Sequence, residues 1–146
     1  MKLYLMRHGQ AASPDVDPRQ GLSSEGRSEI EQLAQRLQNQ GVRFQQVFHS
    51  EKDRARQTAE IVTAITSPGV SPQQRSGLKP NDDPRPLSGE IEHWQDDTLL
   101  VSHLPFVPNL LGLLIADAVS MAMIPGTLIC LNNETGSWHI EWVESP

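Results

Sequence analysis

Cysteine, aromatic residues and basic charge are all scarce in this chain, and each shortage narrows what it can be. A single cysteine, Cys130, among 146 residues leaves no internal disulfide and no cysteine-rich zinc site, which points to a reducing compartment. Set in the apolar run "GTLICL", Cys130 reads as core packing. Lys and Arg number 12 against 18 Asp and Glu, for a formal net charge of -6, and the basic residues are scattered. A phosphate backbone is bound by clustered Lys and Arg, so nucleic acid is not an expected partner. No apolar run approaches the ~20 residues that cross a bilayer. The first such run breaks at Arg7, too soon for a secretory leader. A cytoplasmic protein without a membrane partner is expected. With 37% hydrophobic content over its length, the chain suits one domain, residues 1–146.

What is present alternates strand and helix. Leu3 to Met6 is a continuous apolar run of the kind buried on both faces of a parallel sheet, and Arg7 and His8 stand at its carboxyl end. A Pro-, Asp- and Ser-rich loop follows. Ile30, Leu33, Ala34 and Leu37 then recur at helical spacing, with Ser23 or Ser24 as N-cap and Gly41 just past the end. "FQQVFHS" is a short strand, and Ser50 is placed to cap a second helix whose apolar stripe is Ala55, Ala59, Val62 and Ile65. Arg54 falls in that helix's first turn, where a cation opposes the dipole.

From Ser67 to Arg85 the chain is crowded with Pro, Gly and Gln, and only a short strand near Ser76 to Leu78 is expected. Leu87, Ile91 and Trp94 suggest a short helix. "DTLLVSHLP" is another core strand, ending on His103, and "NLLGLLIADA" reads as a buried helix whose start Pro108 should delay. The end of the chain predicts two strands around an Asn-Glu-Thr-Gly turn, with Trp138, Ile140 and Trp142 on one buried face. This order is that of an α/β fold with a mostly parallel sheet and a C-terminal antiparallel hairpin.

In such sheets ligands bind beyond the carboxyl ends of the strands. Arg7, His8, Arg54 and His103 all fall there. Two guanidiniums and two imidazoles form a receptor suited to a tetrahedral dianion such as phosphate.

Four motifs in order carry a resemblance: "RHG" at Arg7 to Gly9, "LSSEG" at Leu22 to Gly26, "SEKDRARQTAE" from Ser50, and "VSHLPFV" at Val101 to Val107. Together they resemble the histidine phosphatase superfamily, which includes phosphoglycerate mutases. "MRHGQAA", "SHLP" and the "LKP" at Leu78 to Pro80 are most similar to its SixA-type phosphohistidine phosphatases. The resemblance implies a three-layer α/β/α sandwich. It also implies His8 as the nucleophile that becomes phosphorylated, with Arg7, Arg54 and His103 holding phosphoryl oxygens. Ser50 and Gln57 would only shape the site. No metal or cofactor is expected, since five histidines fall in no ligand pattern.

Ester-cleaving relatives use a carboxylic acid to protonate the leaving oxygen, a contribution of typically ~10²- to 10⁴-fold. Asp82 and Asp83 are the candidates here, with Glu90 further off. Phosphohistidine relaxes that demand, because its ring can itself carry a proton and leave neutral. The expected substrate is therefore a phosphohistidine-bearing phosphorelay or phosphotransferase protein. A small phosphate ester is the alternative, and a catalytically silent phosphate-binding module a third reading. His49 is a further candidate for the pocket wall, whereas His93 and His139 read as surface residues.

Overall fold

The computed structural model describes residues 1–116 and 121–146. Its centre is a six-stranded sheet in the order β3-β2-β4-β1-β5-β6. The strands are β1 (Lys2–Arg7), β2 (Gln46–His49), β3 (Gln73–Gln74), β4 (Thr98–Ser102), β5 (Leu128–Asn132) and β6 (His139–Glu144), and the helices α1 (Ser24–Asn39), α2 (Asp53–Thr66), α3 (Arg85–Ile91) and α4 (Phe106–Leu114). β3, β2, β4 and β1 run parallel, and β5 pairs antiparallel with both β1 and β6. The three-layer α/β/α sandwich with its antiparallel C-terminal hairpin is thus the observed architecture.

Alternation along the central strands feeds two cores. Tyr4 and Met6 pack with Leu33, Leu37, Ala59 and Val62 of α1 and α2 on one face, while Leu3 and Leu5 pack with Leu87, Ile91, Phe106 and Leu110 of α3 and α4 on the other. Both faces of β1 and β4 are apolar because both are covered by helices. Helix α1 begins as expected: Ser23 is its N-cap, its hydroxyl accepting the Gly26 N–H at 2.9 Å. It ends in paired bonds from Gly41 N–H to Gln38 and from Val42 N–H to Leu37, with Gly41 at φ +77°.

Four expectations change. The strand of the 67–85 segment is Gln73–Gln74, not Ser76 to Leu78; it is an exposed edge of two polar residues and has no apolar alternation to betray it. Ser50 does not cap α2, whose N-cap is Lys52. Pro108 does not delay α4, because it lies in the first turn, where its missing N–H would have no helical partner anyway. That helix ends at Leu114, and the last residues of "NLLGLLIADA" lie outside the described residues. Finally, Trp138 and Ile140 pack into the α3/α4 core but Trp142 into the α1/α2 core. A register shift between Cys130 and Leu131 pairs Cys130 with Trp142 and Leu131 with Ile140, so Glu141 is an extra residue that turns the strand over.

Candidate active site

The sheet order sets β2, β4 and β1 side by side, so Ser50, His103 and His8 emerge next to one another. The end of β1 is fixed by backbone bonds on both sides. The His8 N–H donates to the Ser102 carbonyl at 3.0 Å and the Arg7 N–H to Thr127 at 3.0 Å, while the Gly126 N–H reaches the carbonyls of His8 (2.9 Å) and Arg7 (3.2 Å).

His8 is buried, with Nδ1 2.7 Å from the Gly9 carbonyl oxygen. A carbonyl only accepts, so the neutral ring keeps its proton on Nδ1 and leaves the lone pair on Nε2. Burial, then the charges of Arg54 and Arg7, push its pKa down to about 4 against the backbone bond to Gly9, which raises it. The ring is therefore neutral at pH 7. Gly9 is itself clamped, its N–H donating to Thr58 Oγ1 at 3.0 Å while that hydroxyl donates to the Arg54 carbonyl at 2.7 Å. Thr58 thus ties the His8 loop to α2.

Arg7 donates through Nη1 to the Met123 carbonyl at 2.7 Å, and its buried Nε has no partner among the described residues. Burial lowers its pKa from the usual value. The guanidinium of Arg54, a half-buried residue in the first turn of α2, makes no hydrogen bond or ion pair with the described residues, whereas neighbouring Asp53 is paired with Arg19 at 2.9 Å and Arg56 at 3.4 Å. The His103 ring lies 5.1 Å from that of His8 between centroids. Burial first, then the neighbouring His8 ring and the charges of Arg54, Lys52 and Arg7, hold it neutral, with a pKa of about 3. Its Nε2 is 2.6 Å from Ser50 Oγ, and its buried Nδ1 is unpartnered. Only three buried side-chain polar atoms lack partners among the described residues, and two of them belong to Arg7 and His103. Unpaired buried polar atoms are costly, and an oxyanion is a ligand that would satisfy the Arg7 Nε–H.

The remaining candidates are distributed around this centre. Asp82 and Asp83 line a cavity of about 450 Å³ together with Ser50, Glu51, Arg75 and Lys79. Asp82 accepts the Lys79 N–H at 2.9 Å, while Asp83 forms a fork with Arg85 that holds its carboxyl below the usual range. Glu90 is engaged by Arg75, whose guanidinium lies over the Phe48 and Trp94 rings. Gln57 accepts the Leu22 N–H at 2.7 Å and shapes the loop. His49 is buried with Nδ1 2.9 Å from the Ser50 carbonyl oxygen, and His93 and His139 are exposed. Cys130 is buried, and its thiol is pushed up to about 12 by burial.

Sequence reasoning missed Thr58, although it stands inside the quoted "RARQT". It also missed the Met123–Thr127 segment. Its contributions there are mostly backbone carbonyls and N–H groups, which leave no residue-type signal.

Among the described residues there is no group of three or more His, Cys, Asp or Glu able to hold a metal ion. No described helix is long and apolar enough to cross a membrane.

Residues 3–80 match the model of the histidine phosphatase superfamily, branch 1. An uncharacterised protein of Picosynechococcus sp. is 36% identical over 112 residues, covering 72% of this chain and 67% of that protein. Among solved structures, the protein histidine phosphatase SixA complexed with tungstate is similar with a TM-score of 0.88 and 27% identity, covering 100% of this chain and 97% of that one. A mycobacterial glucosyl-3-phosphoglycerate phosphatase has a TM-score of 0.76 at 15% identity and covers 99% of each chain, a likeness of fold.

Proposed function

This chain belongs to the histidine phosphatase superfamily, and we propose that it removes phosphate from phosphohistidine on a phosphorelay or phosphotransferase protein through a covalent intermediate on His8. The observation that carries the reading is the neutral His8, its Nδ1 fixed on the Gly9 carbonyl, beside the Arg54 guanidinium and the Arg7 Nε and His103 Nδ1 that have no partner among the described residues. The His8 Nε2 lone pair attacks phosphorus in line. The bond from phosphorus to the substrate's ring nitrogen breaks, and its electron pair leaves with an imidazole that is already protonated at its other nitrogen and departs neutral. Water then attacks the phosphorus of phospho-His8, releasing inorganic phosphate and restoring Nε2. Arg7, Arg54 and His103 hold the three non-bridging oxygens in both steps, each charge-assisted bond contributing ~1.5 to 3 kcal/mol.

Among the described residues no carboxyl is committed as a proton donor, which favours this substrate. Asp83 is fixed on Arg85 as a carboxylate, and Glu90 is taken by Arg75. The second reading, a phosphatase of small esters, is favoured by the cavity of about 450 Å³ beside Ser50, in which Asp82 would be the donor.

The test compares phosphate release from a phosphohistidine-bearing carrier protein and from an aryl phosphate, with wild type and His8→Ala. Rapid release from the carrier, lost in His8→Ala, is the expected result. Preference for the ester would install the second reading, and phosphatase activity surviving in His8→Ala would remove the covalent mechanism.

A further inference from the structure

Ser50 and His103 are among the most buried polar residues, at 1% and 2% exposure. Their contact is short, 2.6 Å from Oγ to Nε2, and Ser50 Oγ also accepts the Lys52 N–H at 3.2 Å. His103 Nδ1 is buried and unpartnered among the described residues.

A neutral imidazole carries one proton, and its partners decide which nitrogen holds it. With the proton on Nε2, Ser50 Oγ would receive two donors, and its own hydrogen would have no acceptor among the described residues. Nδ1 would then offer a lone pair to a phosphoryl oxygen, which repels it. With the proton on Nδ1, the Lys52 N–H donates to Ser50 Oγ and the Ser50 hydroxyl donates to Nε2. The Lys52 N–H and the Ser50 hydroxyl are then both used as donors, and the Nδ1–H remains for the oxyanion.

We propose that Ser50 is a positioning residue whose hydroxyl fixes the His103 proton on Nδ1 and makes that nitrogen a standing donor to the phosphoryl group. The inference rests on the reading of His103 as a phosphoryl ligand. It gives Ser50 a task beyond shaping the site. The two imidazoles are set by opposite partners: an acceptor-only carbonyl leaves His8 a nucleophilic lone pair, and a donating hydroxyl leaves His103 a proton to offer.

Long-range ¹H–¹⁵N correlation spectra of the ligand-free protein read the tautomer directly, without a substrate. Wild type is expected to show His103 protonated at Nδ1, and Ser50→Ala to lose that preference while the His8 pattern persists. In the same variant vanadate affinity and kcat/KM should fall roughly ten- to a hundredfold, the range of one charge-assisted hydrogen bond. Ser50→Thr, which keeps the hydroxyl, should restore both. An Nε2-protonated His103 in wild type overturns the proposal, as does vanadate affinity unchanged in Ser50→Ala. The wild-type spectrum decides even if Ser50→Ala fails to fold. Wild type that binds no vanadate but shows the Nδ1 tautomer would strike the phosphatase reading alone.

Discussion

Arg54 is the second residue of α2, where a cation faces the positive end of the helix dipole, and no carboxylate of the described residues offsets it. Its neighbour Asp53 pairs with Arg19 and Arg56 instead, so the local acid does not neutralise the site. This is the pattern of a residue kept for a ligand at a cost in stability. Arg54→Ala should therefore weaken vanadate binding at least tenfold while raising unfolding free energy by ~0.3 to 1 kcal/mol, the scale of one dipole interaction. Isothermal titration and urea unfolding read the two effects separately. Unchanged vanadate affinity would move Arg54 out of the site, and lost stability would mean that it has a structural partner. At this scale the sequence was most informative, because side chains carry the chemistry. Arg7, His8 and His103 stand at the ends of adjoining strands, and Arg54 in the first turn of the helix that follows β2. What escaped was chemistry done by backbone, such as the Met123 carbonyl that receives Arg7 across 116 positions.

At the scale of elements, the start of α1 is built against the residue that follows the His8–Gly9 turn. The Gln10 carbonyl accepts the Ser23 N–H at 3.0 Å, and a Cβ added at Gly26 would come within 2.1 Å of that same oxygen. The "LSSEG" motif is thus a cap followed by a contact that only glycine permits. Helix propensity alone makes Gly26→Ala stabilising by ~1 kcal/mol, and the clash with backbone makes it destabilising by ~1 to 3 kcal/mol or more. We expect the clash to win and the loss to exceed that of Ser23→Ala, which removes one cap bond worth ~1 kcal/mol. Urea unfolding of both variants checks this, and a Gly26→Ala protein more stable than wild type would show that the approach of α1 to Gln10 is loose. Long elements with strong periodicity were legible beforehand. The two-residue β3 and the Glu141 bulge were not, since the first has no pattern and the second interrupts one without changing it.

For the whole molecule, the sheet order that creates the site also buries two imidazoles that stay neutral among cations. His8 is 9% and His103 2% exposed, and their pKa values lie at about 4 and about 3, against 6.5 for an unperturbed ring. As the pH falls below ~6.5 the unfolded chain takes up protons that the folded chain refuses, so stability rises with pH across this window. The contribution is whole above ~6.5 and is lost progressively as the pH falls toward the folded values. Between pH 7 and 5.5, where carboxylates are still largely ionised, each histidine should remove about 1 kcal/mol of unfolding free energy. The variant His8→Gln/His103→Gln, which keeps polar side chains that do not titrate, should show a shallower acid slope in urea unfolding at the two pH values. The buffer must be free of phosphate, because an anion that binds only the folded chain would add stability of its own. Equal slopes for wild type and variant would mean that the rings gain protons in the folded chain near pH 6. His8 would then be partly protonated near neutrality, and its competence as a nucleophile would have to come from the bound substrate rather than from the fold.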